Sequence, residues 1–187
     1  PILLVVQREE THKYLCGMDE RDWFAAAIPR AGGVASVQAA LDALKPVEVQ
    51  RALERKHVRR GRRDRRRNEA FLRQGEWFFL PEPSLSVDPM IVLVDEPIRR
   101  GGGKPHRVEF LCRLGGEQVY VCYRHPNGLT GPAYEALLLR KPEARHWNWI
   151  GMKRNPRVYA RGRVRHPDHQ TIRLDVWHRV LMNRENE

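Results

Sequence analysis

Two hydrophobic periods succeed one another along this chain of 187 residues. Ile2 to Gln7 and Lys13 to Cys16 are short apolar-rich runs joined by a polar turn, and they read as two strands. Asp19 is then placed to cap a short helix through Trp23, Phe24 and Ile28 that stops before Pro29. Val34, Val37, Leu41 and Leu44 recur at helical spacing, and Pro46 suits the first turn of a second helix carrying Val49 and Leu53. Asp64 is positioned as N-cap of a further helix through Ala70, Phe71 and Leu72 that ends at Gly75.

Beyond that point the period shortens to two. Trp77 to Leu80 and Met90 to Val94 are strand candidates, separated by a loop containing Pro81, Pro83 and Pro89. His106 to Leu114 and Glu117 to His125 flank Gly115-Gly116, a pair that favours a two-residue hairpin turn. Gly131-Pro132 to Leu139 reads as a helix. Arg157 to Arg165 and Gln170 to Met182 make a second hairpin. Its apolar faces align when the loop Pro167-Asp168-His169 pairs Val164 with Ile172 and Val158 with His178. The expected fold class is α+β, a helical N-terminal part followed by a β-rich part with two antiparallel hairpins. Its expected domains are a mainly helical module over residues 1–80, ending in an arginine-rich segment, and a β-rich module over 81–187, which share a core.

Charge changes this picture because it is concentrated. The net charge is +11, from 34 Lys and Arg against 23 Asp and Glu. Residues 55–67 hold nine basic residues and one acidic, and so do residues 140–165. In the first segment arginine dominates, and its planar fork grips phosphate in two places, which favours phosphate contacts by Arg59, Arg60, Arg62, Arg63, Arg65, Arg66 and Arg67. The expected helix after Asp64 would add free backbone N–H groups to the same anion site. The second segment interleaves cations with Trp147, Trp149 and Tyr159 and continues into a sheet face bearing Arg161, Arg163, Arg165 and Arg173, with Trp177 beside them. Cations beside aromatic rings suit single-stranded nucleic acid, where bases stack and phosphates pair.

These features favour a nucleic-acid-binding protein, with RNA or single-stranded nucleic acid preferred over duplex DNA because no helix-turn-helix or zinc-finger signature is present. The same arginines would serve an interaction module for an acidic protein partner. A catalytic alternative comes from the first hairpin. Its register places His106 opposite His125, with Lys104 and Arg124 nearby, an acid and base pair for metal-independent cleavage of a phosphodiester. His166, Asp168 and His169 cluster at the tip of the second hairpin as weak metal candidates. They lack a fourth partner, so no metal and no cofactor is expected and a polar turn is the default. The three cysteines form no CxxC pair and no even set, which fits an intracellular, reducing compartment, the cytoplasm or the nucleus. Ile2 to Val6 is far shorter than the roughly 20 apolar residues of a spanning helix, so no membrane partner is expected.

Overall fold

In the computed structural model, residues 2–7, 10–20, 22–29 and 34–185 are described. Strands take up 44% of the chain and helices 23%, so the expected helical N-terminal part is not there. β1 (Ile2–Gln7), β2 (Glu10–Asp19) and β3 (Asp22–Ala27) form an antiparallel sheet instead. Asp19 stands opposite Asp22 across a tight turn, where a helix cap was expected. The ten-residue β2 offers a full ladder of backbone groups to the segment that follows. Pairing Leu15 with Ala26 and Gly17 with Phe24 overrides the weak helix preference of the alanines there. Helix α1 (Val37–Leu44), capped by the Ser36 hydroxyl, packs Ala40 and Leu44 against Leu15, Ala26 and Ile28. α2 (Val47–Arg55) starts directly after Pro46, as its sequence predicts.

The helix expected from Asp64 to Leu72 is also absent. Its cap is otherwise engaged, since the Asp64 carboxylate receives Lys45 Nζ at 2.5 Å and Gln38 Nε2 at 3.0 Å. Asn68 then turns the chain, its side-chain oxygen accepting the Ala70 and Phe71 amides, and Arg67 bridges to Leu72 as in a hairpin. Here side-chain hydrogen bonding to local backbone wins over helix formation.

The main sheet has six strands: β4 (Leu72–Gln74), β5 (Trp77–Pro81), β6 (Leu93–Ile98), β7 (His106–Leu114), β11 (Arg157–Arg165) and β12 (Ile172–Met182), in the order β4-β5-β12-β11-β7-β6. Phe79 stands opposite Val180, so strands from the middle and the C-terminal part of the sequence share this sheet. Val49, Ala52 and Leu53 of α2 cover Phe71, Phe78 and Leu80 at one end of it. Val164 pairs with Ile172 as the hydrophobic alternation requires, but a bulge between Ala160 and Gly162 moves His178 opposite Ala160 instead of Val158. The Glu109 carboxylate accepts the Arg163 amide at 2.8 Å beside the bulge.

The hairpin expected around Gly115-Gly116 does not form. β7 pairs with β6, setting His106 opposite Ile98, while β8 (Glu117–Cys122) lies between β9 (His125–Thr130) and β10 (Ile150–Arg154) in a separate three-stranded sheet. The glycine pair therefore carries the chain out of one sheet and into another. Two compact units result, Pro1–Cys112 with Tyr159–Glu187, and Arg113–Val158. The second contains the β8–β10 sheet and helix α3 (Gly131–Arg140).

Candidate functional site

Three turns of the larger unit end at one place. The first is the two-residue turn between β4 and β5, Gly75-Glu76; the second is the start of β7 at His106; the third is the loop His166-Pro167-Asp168-His169 between β11 and β12. Ring nitrogens of His106, His166 and His169 all lie within 4.8 Å of one another. The ring centroids are 4.2 Å apart for His106 and His166, 4.7 Å for His166 and His169, and 5.5 Å for His106 and His169. Sequence reasoning named all three histidines but assigned His106 to His125, which lies in the other unit. It missed Gln74, Gly75, Glu76 and Glu20, whose roles appear only when the turns meet.

The hydrogen bonds fix the tautomer of His106. Gln74, 1% exposed, donates its amide nitrogen to the carbonyls of Val164 (3.2 Å) and Gln170 (2.7 Å), so its oxygen is the atom 2.9 Å from His106 Nδ1. Nδ1 therefore carries the proton and donates it. The ring's Nε2 stands 3.6 Å from the Glu76 carboxylate. His169 turns Nδ1 toward Glu20 at 3.9 Å; that nitrogen is buried and has no hydrogen-bond partner. His166 Nδ1 accepts the Asp168 amide at 3.2 Å, and its ring also bonds the Lys104 carbonyl. Burial, and next the neighbouring His106 and His169 imidazoles, hold His166 below the ordinary imidazole range. Burial pushes Glu76 up, but bonding to His106, its own backbone and the nearby imidazoles outweigh this, and the carboxyl lies below its usual range.

Gly75 makes the convergence sterically feasible. Its φ of +56° suits the first position of a tight hairpin turn, and a Cβ there would lie 2.9 Å from His169 Nε2 and 3.2 Å from His106 Cε1. Lys104, expected to hold phosphate, instead grips both oxygens of Asp168 at 2.9 Å. A cavity of about 510 Å³ runs from Leu44 and Phe71 to Gly75, Glu76 and His169, so one histidine of the cluster, His169, forms part of its wall.

The arginine-rich segment is an irregular loop opening on a single 3-10 turn, Arg60–Arg62, so no helix N-terminus stands behind it. Part of its charge is neutralised internally: Arg66 pairs with Asp19 and Glu20, Arg62 with Glu69, and Arg63 donates to the Val58 carbonyl. Arg59, Arg60, Arg65 and Arg67 are exposed with no carboxylate partner among the described residues. On the main sheet, Arg163 pairs with Glu109, Arg165 with Asp95 and Arg173 with Asp175, while Arg161 lies over the Trp177 and Phe110 rings. Tyr159 and Trp177 are buried at 8% and 6% exposure, which removes both from any stacking role.

The smaller unit gathers the remaining candidates. Tyr120 stacks on Tyr134, whose edge meets Trp149. Trp149 and Trp147 stack with each other and with His125 at 5.6 and 6.0 Å. Arg124 lies 4.5 Å over the Trp147 ring and Lys141 5.6 Å from it. This unit holds eight Lys and Arg against three Glu. Compared with protein families, curated proteins and solved structures, the chain matches none. No helix among the described residues is long and apolar enough to cross a membrane.

Proposed function

We propose that the protein binds nucleic acid, preferentially RNA or another single strand, through the smaller unit. The supporting observation is the run of rings ending at Trp147 beneath Arg124 and beside Lys141, in a unit whose Lys and Arg outnumber its acidic residues by eight to three. A half-buried tryptophan held by its neighbours offers a preformed stacking surface, and a base stacked on an aromatic ring contributes about 1–3 kcal/mol. The cations around it contact phosphate and make the affinity fall with salt. Arg59, Arg60, Arg65 and Arg67 add a second set of free cations, and Arg161, Arg163, Arg165 and Arg173 a more neutralised third. The acid and base chemistry of a His106–His125 pair has no geometric support, because the two residues lie on strands of different sheets.

Fluorescence anisotropy with labelled single-stranded RNA, single-stranded DNA and duplex DNA across a salt series tests this. Salt-sensitive binding of single strands is expected, weakened about 5- to 150-fold in Trp147→Ala with the fold intact. Equal affinity of Trp147→Ala and the parent chain would refute the stacking role, and no binding at low salt would refute the reading altogether.

A further inference from the structure

The histidine cluster has a different chemistry from the arginine surfaces. A neutral imidazole has one lone pair and one N–H, and a metal-binding histidine characteristically donates that N–H to an outer acceptor while its lone pair faces the ion. His106 has such an acceptor in the Gln74 oxygen at 2.9 Å, and the His166 ring bonds the Lys104 carbonyl, so that its Nδ1 would exchange the Asp168 amide at 3.2 Å for the ion; His169 Nδ1 is buried without a hydrogen-bond partner, 3.9 Å from the Glu20 carboxylate. His106 Nε2 stands 3.6 Å from the Glu76 carboxylate, which borders the cluster.

Spacing and composition define that cation. A tetrahedral ion with bonds of about 2.0–2.1 Å holds its donors about 3.3–3.4 Å apart. Nitrogens within 4.8 Å of one another meet that spacing when their separations shorten by about 1.5 Å at most and the rings, stacked at 20–29° to one another, turn to aim one nitrogen each at a common point. Imidazole donors select zinc-class transition ions over Mg²⁺ and Ca²⁺, which take oxygen ligands. Three protein ligands leave a fourth position, as sites that act on an exchangeable water or substrate do. Glu76 and the cavity of about 510 Å³ border the cluster where that position would open.

We propose that His106, His166 and His169 form a mononuclear site for a divalent transition metal of the zinc class, with its open position toward the Glu76-lined cavity. Gln74 is a positioning residue that fixes the His106 ring from outside. The site is independent of the nucleic-acid surface.

The test uses the full chain stripped with EDTA and titrated with Zn²⁺ by calorimetry, and with Co²⁺ as an optical probe. One equivalent of Zn²⁺ is expected to bind with micromolar or tighter affinity and to raise the Tm, while Mg²⁺ does neither. His166→Ala and His169→Gln are expected to abolish this binding. Gln74→Leu should weaken it about 10–100-fold, and exposed His146→Ala should leave it unchanged. Circular dichroism and the Tm of each variant in EDTA separate lost ligation from lost folding, and only variants folded in EDTA are read. Azide should alter the Co²⁺ spectrum if the fourth position is open. Absence of Zn²⁺ binding by the folded parent chain, or binding that survives His169→Gln, would overturn the site. A Co²⁺ spectrum indifferent to azide would overturn the open position.

Discussion

Arg124-His125-Pro126 and Arg165-His166-Pro167 are the same three residues in opposite surroundings. Proline restricts the preceding histidine to extended backbone in both, yet His125 stacks among Trp147 and Trp149 while His166 stacks among His106 and His169. The local sequence fixes how the ring leaves the chain. What it meets is fixed by neighbours distant in sequence. Around His166 those neighbours are imidazoles, one held by the Gln74 oxygen and one 3.9 Å from the Glu20 carboxylate, a setting suited to a cation. Around His125 they are indoles already faced by Arg124 and Lys141, which suits an anion with a planar group.

If the histidine end is built around buried polar partners and the aromatic end around surface stacking, removal of one polar group should affect the two ends unequally. Gln74→Leu strands the Val164 and Gln170 carbonyls and the His106 N–H in a buried place, so a stability loss of about 2–4 kcal/mol is expected in urea titration. Trp149→Phe removes one bond to the Ala144 carbonyl, which keeps the Trp147 amide at 3.2 Å, and should cost about 1 kcal/mol. Equal losses would break the comparison. Gly75→Ala sharpens it further. Alanine there bears left-handed backbone and pushes a methyl into His169, about 2–3 kcal/mol together, whereas Gly115→Ala, at φ +69° with nothing within 4 Å, bears the backbone cost alone, about 1–2 kcal/mol.

Much of the local structure was legible in the chain. Strands at Ile2–Gln7, His106–Leu114 and Arg157–Arg165 and the helices Val37–Leu44, Val47–Arg55 and Gly131–Arg140 follow from periodicity and proline position, whereas neither cap read from the sequence, Asp19 or Asp64, opens a helix. Pairing partners were not. Gly115-Gly116 has hairpin chemistry, but β7 gains more by joining a six-stranded sheet, with Val108, Leu111 and Cys112 fully buried, than by closing on β8. That one misassignment hid the site. His166 and His169 were recognisable at a loop tip, but the third imidazole is 60 residues earlier in the chain and comes within reach only because β7 lies beside β11. Gly75, read as a helix end, is a turn position held open for the rings.

The smallest expected effect concerns His178, the buried histidine of the main sheet that lies outside the cluster. Burial, offset in part by its 2.7 Å bond to the Val176 carbonyl, holds it below the ordinary imidazole value of 6.5. The unfolded chain then takes up a proton near pH 6.5 that the folded chain refuses. This group's contribution to stability is full above that pH, declines as pH falls through 6.5, and levels off below the folded-state value. Urea midpoints in EDTA between pH 7.5 and 5.5 should therefore decrease, and His178→Gln should remove part of that slope. An unchanged slope would assign the whole acid sensitivity to other groups, with His166, held down by burial and the neighbouring imidazoles, the first to examine.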